Sequence, residues 1–196
     1  MIKVIDNFLN DKDFDEIKKT FENFYWYYLN NISNYYDKSK ILNRFGFYHV
    51  FIRYGIYTNT PYKLVIKNLL EKQLKETNCN FILRSRADMT VYHKEKIIHD
   101  PHVDFLMDRD KVTQNHISTI FYVNNSDGDT VIYKEKAHSI SDITPTPNLE
   151  NLTILKKIKP VANRLLIFSG NYIHTGHSPK NHSNRILINS NFDIKW

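Results

Sequence analysis

The chain has 196 residues, 41% of them hydrophobic and 24% charged, with 5 Gly and 6 Pro. That balance excludes disordered, collagen-like and low-complexity classes, and the length fits one domain spanning 1–196. A single cysteine, Cys79, excludes an intrachain disulfide framework, and the opening MIKVIDNFLNDKDFDEIKK has no apolar run of signal or membrane length. Of the 27 cations behind the net charge of +6, 20 are Lys spread along the chain, beside 22 Asn and 23 Ile, as AT-rich coding DNA gives. The charge therefore predicts a solvated surface, not a nucleic-acid or membrane partner, and the expected location is cytoplasmic.

IKVIDNFL reads as a short strand leading to a helix start. Asn10 is placed to cap that helix, with Asp13 in its first turn and Leu9 and Phe14 spaced as a hydrophobic staple. Phe14, Ile17, Phe21, Phe24 and Tyr28 continue as one apolar helical stripe, so the cluster FYWYY at 24–28 is expected in the core rather than stacked on bases. Residues 30–58, rich in Asn and Tyr, read as a lid or substrate loop. Thr60-Pro61 predicts the cap and first residue of a second helix running to about Thr77, with Val65, Leu69, Leu70 and Leu74 inward.

After Asn80 the pattern alternates. FILRSRADMTVYH (81–93), HISTIFYV (116–123), DTVIYK (129–134), LTILKKIK (152–159), RLLIFS (164–169) and RILINSNF (185–192) read as strands. NNSDGD (124–129) reads as a hairpin turn and PTPNLENL (145–152) as a surface loop. About eight short strands behind two helices predict a mainly β fold: a double-sheet jelly roll, the double-stranded β-helix, over 81–194, buttressed by helices from 1–80.

Nine histidines occur. His102-Val103-Asp104 stands apart, because residues i and i+2 of a strand face the same side and reach one point. His174 ends a strand-like NYIH, and Arg185 opens the next strand. Two imidazoles and one carboxylate on one face make the facial triad of non-haem iron oxygenases, which leaves coordination positions open. The lack of thiolates excludes a structural zinc site of the cysteine type. Arg185 can hold a carboxylate through its guanidinium fork. A lone H-x-D is commonly a surface ion pair; the order H-x-D, His, Arg carries the reading. His174 is preferred over His177 because it ends a strand, and His177 and His182 are expected in an exposed loop. His99 reads equally as a pocket residue or a strand-end residue, and His49, His93, His116 and His138 as structural.

Taken with TVYH ahead of PHVD, SDGDTVIY, RLLIFSGNYIHTGHSP and RILINSNF, these positions resemble the 2-oxoglutarate/Fe(II)-dependent dioxygenases. The resemblance is to the prolyl-4-hydroxylase-like branch of bacteria and phages; it covers about residues 81–193, and VIDNFLNDKDFDEI is similar to its smaller members. It implies that His102, Asp104 and His174 bind Fe(II) and that Arg185 binds the distal carboxylate of 2-oxoglutarate. It also implies that Tyr92 lines that pocket and hydrogen-bonds the co-substrate, and that O2 is consumed as a C–H bond is hydroxylated and succinate and CO2 are released. Asp104 favours hydroxylation over halogenation, since related halogenases vacate that position for halide. The chain departs from many prolyl hydroxylases at His99, where they carry Tyr, at Arg185, where they use Lys, and at Asp127-Gly128, where they carry GG. The resemblance therefore leaves the substrate open between a small molecule and a protein side chain. A nucleic-acid-modifying dioxygenase is the alternative, but the second arginine that repair enzymes place after the first is absent. A non-catalytic jelly-roll module is the other, and an intact ligand set with its arginine speaks against it.

Overall fold

The computed structural model describes residues 1–30, 32, 45–104, 106–108, 111–112, 116–143 and 147–194. Strand β1 (Ile2–Ile5) leads into helix α1 (Asp11–Glu22), whose cap forms as expected: the Asn10 side-chain oxygen accepts the Asp13 N–H at 2.9 Å. The helix stops at Glu22, short of the predicted stripe. Phe24 is still buried, but Tyr25, Tyr27 and Tyr28 are 72%, 60% and 58% exposed. Consecutive aromatics favour extended backbone, and Tyr27–Leu29 leaves the helix to become β2, antiparallel to β3 (Gly46–Arg53).

The expected lid over 30–58 is corrected in its second half: β3 and β4 (Ile56–Tyr57) form a hairpin within the sheet, while 31 and 33–44 lie outside the described residues. The hairpin turns on Tyr54 and Gly55, with φ of 50° and 77°, the left-handed pair that a two-residue turn demands. The N-terminal half thus supplies strands as well as helices. Helix α2 (Lys63–Thr77) begins two residues beyond the predicted start. Thr60 is engaged elsewhere, its hydroxyl 2.9 Å from His49 Nε2, and Asn78 closes the helix in the left-handed conformation.

The remaining strands are β5 (Cys79–Val91), β6 (Leu106–Asp108), β7 (Lys111–Val112), β8 (His116–Tyr122), β9 (Thr130–Lys136), β10 (Ile154–Ile158), β11 (Arg164–Ser169), β12 (Tyr172–Gly176) and β13 (Asn184–Ile194). An eight-stranded antiparallel sheet runs β1-β11-β8-β13-β5-β3-β2, with β4 on β3, and a three-stranded sheet runs β10-β9-β12. NNSDGD is therefore no hairpin turn: β8 and β9 lie in different sheets, and the loop carries the chain across. Asp127 pins it there by accepting the N–H groups of Lys180 and Asn181. In the PTPNLENL segment, Leu149–Asn151 forms a 3₁₀ turn.

Alternation gives the large sheet two faces. Ile117, Phe121, Leu165, Ile167 and Ile188 pack outward with Ile17, Ile66, Leu69 and Leu70 of the helices. Ile120, Tyr122, Leu166, Phe168 and Leu187 face inward onto Ile132 and Ile158 of the small sheet. This two-sheet roll is the predicted jelly roll, with the helices on its outer face. Among the described residues, no helix is long and apolar enough to cross a membrane. Phe121, fully buried with Phe8 and Phe14 ring centroids 6.4 and 6.2 Å away, joins helix to sheet. Phe121→Ala is expected to cost about 3–5 kcal/mol of unfolding free energy, read as a lower denaturant midpoint at unchanged slope.

Candidate metal centre

His102 and His174 are placed by backbone pairing. Each N–H donates to the other's carbonyl at 3.0 Å, so the 99–104 segment docks antiparallel on β12 and both imidazoles emerge on one side. Val103 turns the opposite way into an apolar cluster with Val131, Tyr133 and Ile173, as an odd step along an extended chain requires. The Asp104 carboxylate then faces both rings, 3.9 Å from His102 Nε2 and 3.5 Å from His174 Nε2. One ligand atom from each of the three lies within 4.8 Å of the others.

The tautomers follow from the hydrogen bonds. His102 Nδ1 lies 2.8 Å from the Asp100 carbonyl and His174 Nδ1 3.1 Å from the Tyr172 carbonyl. A carbonyl only accepts, so each Nδ1 donates and each Nε2 is turned toward the carboxylate. Burial, with the charge of His174, pushes His102 down to about 4, leaving it neutral. Burial opposes the charge of Asp104, but His174 and His102, with Arg84, hold its carboxyl well below the usual range. Burial likewise opposes the His174 cation, and the Asp104 charge outweighs it and raises the pKa. Asp104 Oδ2 is buried without a hydrogen-bond partner. Two oriented nitrogens and an unsatisfied anionic oxygen fit a divalent cation of the Fe(II) class and leave room for other ligands.

Arg185 lies near the cluster, its charge acting on His174. It is 5% exposed, its Nη2 donates to Thr130 Oγ1 at 2.7 Å, and Thr130 pairs with Gly176 across β9 and β12. The carboxylates that influence it are Asp88 and Asp129, and both are committed elsewhere, to Arg86 at 2.8 Å and Lys96 at 3.6 Å. Its Nε is buried without a partner. Two glycines make room for this side chain. A Cβ on Gly176 would sit 3.3 Å from Arg185 Nη1; one on Gly128 would sit 2.8 Å from Arg185 Cδ and collide with the His177 carbonyl.

The structure thus brings His102, Asp104, His174 and Arg185 together, and leaves Tyr92 outside the buried set. Tyr92 follows the end of β5, is 54% exposed, and sits on the Arg185 side of the sheet only at its rim. The buried phenol beside Arg185 is Tyr122, missed in the sequence. It is fully buried, donates to the same Thr130 Oγ1 at 2.7 Å, and lies under the Arg185 guanidinium, 5.8 Å from carbon to ring centre. Inward phase on β8 was the available signal, but every residue of β8 is buried, which erases the alternation that would have revealed it. His177 is also corrected: it is buried, and burial together with Lys96 pushes it down to about 4. It lines a cleft with Ile98, Val131 and Tyr133 on the other face of the small sheet, three positions and hence one reversal from His174. His182 sits in its loop, half-buried, 3.0 Å from Asp127. His99 is buried, its N–H donating to the Gly176 carbonyl.

Residues 87–193 match the model of the 2OG-Fe(II) oxygenase superfamily. A search of curated protein sequences finds no match. Among solved structures, similarity extends to a 2OG-Fe(II) oxygenase family oxidoreductase from Burkholderia pseudomallei, at 10% identity and TM-score 0.66, covering 98% of this chain and 84% of that one. A prolyl hydroxylase from Trichoplax adhaerens, solved with a hypoxia inducible factor peptide, is 15% identical at TM-score 0.62 (98% and 83% covered). HygX from Streptomyces hygroscopicus, solved with nickel, 2-oxoglutarate and hygromycin B, is 9% identical at TM-score 0.61 (100% and 83% covered). At these identities the structures establish a shared fold.

His174→Ala removes one of three ligands and is expected to weaken Fe(II) binding by more than the roughly 10–100-fold seen for indirect partners, with the circular dichroism spectrum retained. Gly128→Ala moves the Arg185 stem and is expected to weaken 2-oxoglutarate binding about tenfold while Fe(II) affinity holds, both read by anaerobic titration.

Proposed function

The chain belongs to the 2OG-Fe(II) oxygenase superfamily, and on that premise we propose that it hydroxylates a C–H bond of its substrate. The observation that carries the reading is the buried Arg185 guanidinium, with no carboxylate committed to it among the described residues, close enough to the His102–Asp104–His174 cluster for its charge to act on His174. Fe(II) on those three residues, with 2-oxoglutarate and O2, supplies the oxidising chemistry, and succinate and CO2 are released. This chain's residues do the rest.

Arg185 holds the distal carboxylate of 2-oxoglutarate through a charge-assisted fork, and Thr130 and Tyr122 fix the plane of that fork from behind. Burial keeps the Tyr122 phenol protonated and so a donor. Phe168, with its ring edge-on to His174 at 5.0 Å, and Ile132 keep this end of the channel dry, which strengthens each of these interactions. His102, Asp104 and His174 would hold the cation, and with only three protein ligands it would keep capacity to bind co-substrate and O2. Asp104 retains the carboxylate that a halide would displace, which supports hydroxylation as the outcome.

A visible charge-transfer band on anaerobic addition of Fe(II) and 2-oxoglutarate, followed by succinate release in air, tests the reading. Arg185→Ala is expected to raise the KM for 2-oxoglutarate about 30–1,000-fold, the equivalent of losing a 2–4 kcal/mol charge-assisted pair, with Fe(II) affinity little changed. Lys at this position is expected to recover part of the loss, keeping the charge without the fork. Unchanged 2-oxoglutarate affinity in Arg185→Ala would defeat the assignment.

A further inference from the structure

The small sheet has a second face. On β9, Ile132 faces the large sheet, so Val131 and Tyr133 face the other way. Val131 pairs with Lys157 of β10 and with Thr175 of β12, and residues directly opposite share a side. Lys157 and, two residues past Thr175, His177 therefore come to this outer face as well. There Ile98, Val131, Tyr133, Leu149, Leu152 and Ile154 line a cleft of about 170 Å³, and Lys157 and His177 complete the lining. His174 pairs with Ile132 and shares its side, so the sheet itself separates this cleft from the metal centre.

Two observations say what the cleft takes. The first is charge: the groups whose charges act on His177 are Lys96, Asp129, Arg185 and Lys157. Asp129 is paired with Lys96 at 3.6 Å, whereas Lys157 is exposed and makes no ion pair among the described residues. An apolar slot thus carries an uncommitted cation in its wall. The second is a missing hydrogen bond. His177 is 7% exposed, burial and Lys96 keep it neutral, and its Nδ1 is buried without a partner. A neutral imidazole has one N–H to give, and burying a polar group unmet is costly. A carboxylate answers both features. Size sets the rest: an apolar cavity of about 150 Å³ holds one benzene, so about 170 Å³ holds one aromatic or branched group and not a long chain.

We propose that this cleft is an accessory binding site for a small amphipathic acid, a single aromatic or branched apolar group carrying a carboxylate. The apolar group lies against Val131, Tyr133 and Leu152, Lys157 faces the carboxylate, and the His177 ring donates a hydrogen bond to it. The inference goes beyond the hydroxylase reading and does not depend on it, since none of these side chains serves the metal or the co-substrate.

The test titrates the full chain calorimetrically with phenylacetate, with its neutral twin phenylacetamide, and with acetate, each with and without saturating 2-oxoglutarate. Phenylacetate is expected to bind with the same Kd in both conditions and phenylacetamide about tenfold more weakly. Acetate is expected not to bind measurably, because it lacks the group that fills the cleft. Lys157→Gln is expected to raise the phenylacetate Kd to that of the amide. Ile154→Asp, which sets a like charge on the wall, is expected to raise it about 100-fold. Both residues are exposed, so both variants keep the core intact. No binding of phenylacetate, equal binding of acid and amide, or an unchanged Kd in Lys157→Gln overturns the proposal. So does a Kd that rises when 2-oxoglutarate is added, which would put the acid on Arg185. Acetate binding as tightly as phenylacetate overturns it too, leaving a surface lysine and no cleft. A short peptide ending in phenylalanine that binds more tightly than phenylacetate makes the occupant a chain terminus and overturns the small-acid assignment. The charge-transfer band is expected unchanged in Lys157→Gln, so failure of this inference and failure of the hydroxylase reading are read separately.

Discussion

A guanidinium held inside a protein without a carboxylate of its own constrains everything around it. Removing an ion of that size from water costs several kcal/mol after relaxation, and one hydrogen bond to a hydroxyl offsets only part of that. The surroundings of Arg185 are arranged accordingly. Gly128 and Gly176 leave the space its stem and fork occupy, Thr130 takes one N–H, and the Tyr122 ring offers its negative face at 5.8 Å. The loop carrying Gly128 is itself fixed, since Asp127 accepts hydrogen bonds from Lys180, Asn181 and His182 of the loop that precedes Arg185. Two crossovers between the sheets are thereby tied to each other at the point where the charge is buried.

The metal ligands depend on the same two-sheet frame by a different route. β12 supplies His174 to the metal centre, and His177, just past its end, turns to the cleft on the other face. The 99–104 segment needs no long strand to bring His102 alongside; a reciprocal pair of backbone hydrogen bonds suffices. Carbonyls of Asp100 and Tyr172 then settle which nitrogen of each ring is presented. These acceptors are main-chain atoms, so ring orientation is set by the local fold and not by any side chain that a substitution could remove.

This explains what could and could not be read from residues alone. His102 and Asp104 were legible because i and i+2 of an extended chain face one side whatever the rest of the chain does. Asn10 as a cap was legible for the same reason. His174 was singled out as a strand-end histidine, yet it stands at the centre of β12 (Tyr172–Gly176). NNSDGD reads as a hairpin turn but is an irregular crossover between sheets, because turn chemistry does not specify which sheet the next strand joins. The aromatics after Phe24 fit a helical stripe by spacing, yet β pairing with β3 won, since a local period yields to a neighbouring strand edge. Tyr122 stayed hidden because β8 is buried on both faces, so its residues carry no alternation. Tyr92 was reached only through family likeness, and no rule of spacing supported it; it stands 54% exposed, while the buried phenol beside Arg185 is Tyr122.

Two arginines in this chain show what an arginine fork does with and without a partner. Arg164 meets Asp6 with Nε to Oδ1 at 2.6 Å and Nη2 to Oδ2 at 3.0 Å, a closed two-point pair that holds the Asp6 carboxyl below its usual range and ties β11 to the segment after β1. Arg185 stands on the same sheet, more deeply buried, with its Nε unpartnered and its nearby carboxylates committed elsewhere. The pairing that folding completes for Arg164 is the pairing that the proposed function assigns to a bound carboxylate at Arg185. A lysine would hold the charge but not present the fork, and the two glycines would then have no planar group to accommodate. The geometry of an ordinary surface pair, repeated inside the roll with no acid committed to it among the described residues, is what makes Arg185 fit the proposed role of holding a dicarboxylate.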